Sequence, residues 1–329
     1  MFPVLAVLAA LGVGAILIYI AGANPLVAYR SLFVGAFGSQ YGITETLKKA
    51  TPLLLLSLGL VVAFKCSVWN MGGTGQMIVG GLAATWVGLT FAGFPAILLL
   101  PLVIAAGFLA GALWGSIPGL FKARLGVHEV ISTILMNLIA IQLVAALIEG
   151  PMLNPVAKDT MTHLLPSSAW LPVIPGTRLH TGFLIALLCV PLVYILLWRT
   201  KLGYQLRAVG KNPNAARFGG ISVPKTIVTA MIISGGLAGV AGIIQILGIF
   251  HLAFPGFDQF YAWTAIVLAQ LGRLHPVGVL LSSILFGALL TGGETMHRTT
   301  GVPVYLIFAI QGLILLFVLA SEYLIRRKG

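Results

Sequence analysis

The twenty residues Leu179–Trp198, LHTGFLIALLCVPLVYILLW, carry no charged side chain. A helix of that length reaches roughly 30 Å, the thickness of the hydrocarbon layer of a bilayer. In lipid each backbone N–H and C=O must be satisfied within the segment, so the run reads as a membrane-crossing α-helix. Val302–Ile325 repeats the pattern. The rest of the chain agrees: of 329 residues, 59% are hydrophobic and only 8% charged, with a mean hydropathy of +1.06. Soluble domains are about one-quarter charged. This composition excludes a water-soluble enzyme or binding module.

Working outward, spans are expected near 3–23, 50–65, 76–92, 95–120, 127–149, 180–198, 226–249, 262–273, 276–294 and 302–325. The expected fold is all-α: one polytopic transmembrane bundle of about ten spans over 1–329, with a cytoplasmic loop at 199–225. The apolar run Phe2–Ala23 resembles a secretory signal at its Ala21-Gly22-Ala23 end. No Lys or Arg precedes Arg30, however, and the run exceeds a signal core of roughly 7–15 residues, so a retained first span is expected. Placing both termini inside puts thirteen of the 19 Lys and Arg residues on cytoplasmic segments and six outside, which satisfies the positive-inside rule. The net charge of +12 then belongs to topology and anionic membrane lipid, not to nucleic acid. Segment 24–49 fits poorly, with Arg30, Lys48 and Lys49 on the expected outer side; an interfacial or re-entrant helix fits there as well. Cys66 and Cys189 lie in or beside apolar runs and read as small buried hydrophobes rather than a disulfide.

Glycine placement predicts packing. Gly107, Gly111, Gly115 and Gly119 line one helical face, and Gly235, Gly239 and Gly242 with Ser234 and Ala238 repeat the device in another span. Such faces let a neighbouring backbone approach closely. Between the second and third spans, Trp69-Asn70-Met71-Gly72-Gly73-Thr74-Gly75-Gln76 is too glycine-rich for a stable helix. It is either a tight turn or a broken-helix element lining a pathway.

Polar residues inside the apolar runs are the candidates for function. Glu129, Thr133 and Asn137 share one helical face at i, i+4 and i+8. With Asn70 and Gln76 they are candidate pathway residues; interhelical hydrogen bonding is the alternative. Gln245 and Gln270 stand behind them. Adjacent His128 and Glu129 point about 100° apart on a helix and suggest no metal site. Phe250, Phe254, Phe257, Phe260, Tyr261 and Trp263 crowd a loop with Asp258, forming an interfacial belt, a lid or a dock for a binding protein. In the basic loop, Asn212 can cap a helix begun by Pro213, carried by Asn214, Ala215, Ala216, Arg217 and Phe218, and stopped by Gly219 and Gly220 before Ile221. Ala216 and Arg217 are expected on its open surface. The loop either fixes topology or holds a short surface helix. Gly210-Lys211 lacks the spacing of a phosphate-binding loop, since Gln205 and Asn212 occupy required positions. The chain is therefore expected to bind no cofactor and to catalyse no hydrolysis itself.

Taken together, Asn70-Met71-Gly72 with Gly75-Gln76, Val127-His128-Glu129-Val130-Ile131-Ser132-Thr133, and Gly210-Lys211-Asn212-Pro213 with Ala215-Ala216-Arg217 and Gly220-Ile221 resemble permease subunits of bacterial ABC importers. The resemblance covers about 45–320 and is to the family serving branched-chain amino acids, sugars such as ribose, and nucleosides, the nucleoside branch being nearest. It implies that Asn212–Ile221 is a coupling helix docking on a separate ATPase subunit, which carries the ATP and Mg. It also implies a second permease copy or paralogue, a periplasmic or lipid-anchored substrate-binding protein, and residence in the bacterial inner membrane with both termini cytoplasmic. Relatives commonly have Glu where Thr74 stands, so no role of that acid transfers. An ion-coupled secondary transporter is the competing reading, with Glu129, Glu149 and Glu294 as its carboxylates; all three fall at span ends. A membrane-embedded enzyme lacks any convergent nucleophile or ligand set.

Overall fold

The computed structural model describes residues 2–303, 305, 306, 308–313, 316 and 317. These residues form twelve α-helices and, among themselves, no strand beyond one bridge pair between Val173 and His180. Six helices are long and apolar enough to cross a membrane, or seven if one bent pair counts as a span. Half of the span expected at 302–325, including 318–325, lies outside the described residues.

The chain divides into two compact units, Met1–Ala50 with Ile174–Leu179 and Leu281–Gly329, and Thr51–Val173 with His180–Leu280. In the first unit, α1 (Phe2–Ile20) and α2 (Pro25–Phe37) meet in a corner, the axis turning by 116°. Gly22 takes φ +81°, and the Asn24 side chain caps α2 by accepting from the Leu26 N–H at 2.9 Å. Segment 24–49 is thus helical, as the alternative reading of it expected, with α2 followed by the start of α3 (Gln40–Lys65) ten residues before the span expected at 50. Two of its three basic residues are neutralised: Lys48 pairs with Glu45 at 2.8 Å and Lys49 with Glu294 of α12 (Pro276–Thr300).

In the second unit, α3 is buried without interruption from Thr51 to Phe64. A helix apolar on all sides and sheltered on all sides is central. By contrast α5 (Ala96–Leu120), α6 (Glu129–Glu149) and α7 (Gly182–Arg199) leave rows of large apolar side chains open, such as Leu184, Leu188, Leu192 and Ile195 on α7. Those rows face lipid, where they cost nothing.

The two glycine faces meet each other. A Cβ on Gly111 would strike the carbonyl of Gly235 in α10 (Val223–Gln245), one on Gly239 would strike that of Gly107, and one on Gly115 would lie 2.8 Å from that of Met231. α4 (Gly73–Thr90) joins them, because a Cβ on Gly80 would lie 2.9 Å from the Gly107 carbonyl. Three backbones therefore touch where side chains would otherwise hold helices 8–10 Å apart. π-Helical turns at Phe121–Leu125 and Ile246–Phe250 end α5 and α10, each closed by a left-handed residue, Gly126 at φ +68° and His251 at φ +60°. Cys66 is buried and Cys189 only half-buried; both are free thiols.

Candidate solute pathway and coupling surface

The five candidate pathway residues converge on one buried network. Asn70 Nδ2 donates to Gln76 Oε1 at 2.9 Å and to Ser234 Oγ of α10 at 2.8 Å; Gln76 Nε2 returns a bond to Asn70 Oδ1 at 3.0 Å. The stripe on α6 faces the same segment. Thr133 Oγ1 accepts from the Met71 N–H at 3.2 Å, while Asn137 accepts from the Gly75 N–H and donates to the Met71 carbonyl, each at 2.8 Å. Glu129 accepts from the Trp69 N–H at 3.2 Å and pairs with Lys122 at 2.5 Å. Segment 69–72 is thus an irregular turn before α4; α6 side chains bond the Trp69 and Met71 N–H groups and the Met71 carbonyl, and Asn70 accepts from the Gly72 N–H at 3.0 Å. His128 is exposed and 4.0 Å from Glu129.

Polar atoms left over mark where the network ends. Thr74 is buried, yet its Oγ1 has no hydrogen-bond partner among the described residues, and the same holds for the side-chain amide of fully buried Gln245. Gln270 is half-buried on α11 (Tyr261–Leu271). Thr74 opens onto a cavity of about 260 Å³, closed on its other side by the loop 251–260 and the start of α11. The loop is folded inward. Phe257 is fully buried, and a Cβ on Gly81 of α4 would meet its ring at 2.7 Å. Phe254 stands edge-on to Phe250 and Phe257 at 4.9 and 6.4 Å. Gln259 and Phe260 have φ of +47° and +60°, left-handed values that a side chain adopts only under constraint. Burial pushes the Asp258 carboxyl above the usual carboxylate range, although the N–H groups of Asp258 and Phe260 bond it. The expected interfacial belt is therefore at least partly a packed wall. Its second support is the long loop after α6: Thr162 and Leu165 donate to the carbonyls of Ala253 and His251 at 3.0 and 2.8 Å, and the Trp170 ring stacks on His251 at 3.9 Å.

The basic segment forms two helices, of which the sequence suggested only the second. α8 (Lys201–Lys211) buries Gly203, Leu206 and Val209 on one face, and Thr200 caps it by accepting from the Gly203 N–H at 3.1 Å. α9 (Pro213–Phe218) starts at Asn212, whose side chain accepts from the N–H groups of Asn214 and Ala215 at 3.0 Å. It stops at Gly219 and Gly220, the latter at φ +79°, with the Ile221 N–H bonded to the Ala216 carbonyl. Arg217 is exposed and Phe218 is 94% exposed, but Ala216 points inward and is buried, so it packs rather than presents. α8 is fastened to the end of α3. Ser67 donates to the Gly210 carbonyl at 2.7 Å, and Gly210 lies so close to the Lys65 carbonyl that no side chain fits between them.

Residues 42–319 match the family described as the permease component of branched-chain amino acid transport systems. The chain belongs to that family. The permease is 38% identical, over 98% of its own length and 94% of the relative's, to a guanosine ABC transporter permease of Bacillus subtilis. It is 36% identical over 99% of its length, and 88% of the relative's, to a glucose ABC transporter permease of Haloferax volcanii. A nucleoside ABC transporter permease of Lactococcus lactis is 31% identical over 96% of the permease and 89% of that relative. No solved structure matches. The permease is accordingly the multi-pass membrane component of an ABC transport system.

Proposed function

We propose that the permease is half of the membrane pathway of an ATP-driven importer of nucleosides, with a simple sugar as the second choice of solute. It resides in the bacterial inner membrane with both termini cytoplasmic, pairs with a second copy or a paralogue, and receives solute from a binding protein. Energy comes from two copies of a separate ATPase subunit that binds ATP and Mg. The observation carrying this reading is the capped α9, whose Arg217 and Phe218 are exposed side by side while α8 ties the helix to α3. An exposed Phe on a rigid polar turn is suited to a partner's groove. The nucleoside choice rests on two of the three relatives above, whose names specify guanosine and nucleosides.

In this reading Asn70, Gln76, Glu129, Thr133 and Asn137 border the pathway by fixing the turn at 69–76, and Asn212–Ile221 receive the ATPase. The rival ion-coupled carrier was read on three carboxylates, Glu129, Glu149 and Glu294, free to take up a proton or Na⁺. Glu129 and Glu294 are instead engaged by Lys122 and Lys49, and Glu149 is exposed at the end of α6. The test is uptake of radiolabelled guanosine and glucose by proteoliposomes containing the whole complex, with and without ATP. ATP-dependent uptake supports the proposal, and uptake driven by an ion gradient without the ATPase overturns it.

A further inference from the structure

The cavity beside Thr74 has walls of an unusual kind for a membrane protein interior. Phe254, Phe257, Phe260 and Trp263 supply aromatic rings, Asp258 supplies a carboxylate, and no other ionisable side chain lines the cavity among the described residues. Thr74 adds a hydroxyl that is more than nine-tenths buried and has no hydrogen-bond partner among those residues. The backbone on the opposite wall is strained at Gln259 and Phe260, and strain of this sort gathers where a ligand is clamped.

We infer that this cavity is a solute subsite for the base of a purine nucleoside that offers N–H donors along one edge, as guanine does: Asp258 accepts from that edge and the aromatic rings pack on the base. This rests on the importer reading given above and names what its pathway recognises. Size supports a base: about 260 Å³ is just below the roughly 300 Å³ at which ligand pockets usually begin. Charge excludes a nucleotide, since a phosphate gains nothing beside Asp258 and finds no cation lining the cavity. A hexose also stacks on Trp and bonds carboxylates, but it carries hydroxyls around its whole ring. One carboxylate in a wall built mainly of aromatic and aliphatic side chains would leave most of those hydroxyls unpaired. A purine has two broad faces for rings and confines its donors to an edge.

The experiment uses the complete complex in proteoliposomes, with labelled guanosine, inosine, uridine and glucose, and normalises uptake to folded complex. Asp258→Asn replaces one acceptor by a donor and is expected to cut guanosine uptake about tenfold. Inosine, which lacks the amino group, should fall less and uridine least. Phe260→Leu and Trp263→Leu should each lower uptake of both purines by about tenfold. Phe260 is 74% exposed, so its replacement leaves folding intact even if Asp258→Asn misfolds. Asp258→Glu should restore part of the guanosine preference. Wild-type preference among the four solutes in Phe260→Leu and Trp263→Leu overturns the subsite while leaving the importer in place. Equal loss of all four solutes in Asp258→Asn, with no recovery in Asp258→Glu, also overturns it, because the loop then only needs its shape. A wild-type complex that imports glucose and no nucleoside removes both the nucleoside reading and the subsite.

Discussion

Asn137 holds the Gly75 N–H at 2.8 Å across the gap between α6 and the start of α4. Its amide nitrogen simultaneously reaches the Met71 carbonyl at 2.8 Å. One side chain thus clamps the irregular segment at Met71 to the first turn of α4 at Gly75. Asn137→Leu should lower the melting temperature of the solubilised protein, at about 0.6 kcal/mol for each intramembrane bond lost. Asn137→Asp, which keeps the acceptor, should cost less. If Leu melts like wild type, the clamp has no energetic weight.

The glycine contact makes a sharper forecast. A methyl on Gly239 points into the Gly107 carbonyl, whereas a methyl on Gly12 meets nothing within 4 Å. Gly239→Ala should destabilise by about 1–3 kcal/mol through overpacking, while Gly12→Ala should be neutral or slightly stabilising. Equal melting temperatures for the two variants would contradict the close approach of α5 and α10.

On α9, neighbouring residues should behave differently. Arg217→Glu and Phe218→Ala leave an exposed surface altered and the fold intact, so complexes should assemble poorly or hydrolyse ATP without uptake. Loss of one anchoring aromatic is worth about 2 kcal/mol of docking. Ala216→Asp buries a charge and should reduce the yield of folded protein instead. Normal ATP-driven uptake by both surface variants would leave the segment a topology loop.

Acid should affect the Asp258 loop in two opposed ways. Because burial raises this carboxyl, protonation begins at higher pH than for an exposed Asp. A group whose folded pKa lies above its unfolded value contributes stability that is present below the unfolded pKa and lost as pH rises through the folded one. The loop should therefore tighten in mild acid while the acceptor needed for guanosine disappears. Guanosine uptake is expected to decline in mildly acidic buffer, and Asp258→Asn should flatten that decline. An unchanged profile in the variant would assign the pH effect elsewhere.

Much of this was legible in the sequence because its causes are local. Apolar runs of span length, glycine every fourth residue, and Asn-Pro before Gly-Gly each state their own structure, and α5, α6, α7, α9 and α10 form within a few residues of expectation. The first ten residues of α3 were obscured because Lys48 and Lys49 read as outer charge ahead of the span, and Glu45 and Glu294 neutralise them. The second case depends on a partner 245 positions away. α8 was missed because its apolar face is only Leu206 and Val209 with Gly203. Residues 70, 76, 129, 133 and 137 stand out in the sequence as polar and meet around the segment before α4, but the partner of each hydrogen bond was not readable. Whether an Asn faces a cavity or a backbone N–H depends on which helix stands opposite. The inward fold of the aromatic loop depends similarly on the glycine surface of α4.

The bond from Ser67 to Gly210 makes α8 and the turn leading to Asn70 a single mechanical part. Information in such a part runs both ways with equal free energy. If a partner's grip on Phe218 alters the site beside Thr74, a solute seated there alters that grip by the same free energy. An empty and a loaded permease would present the same residues to their partner with different affinities, so the load itself reports readiness.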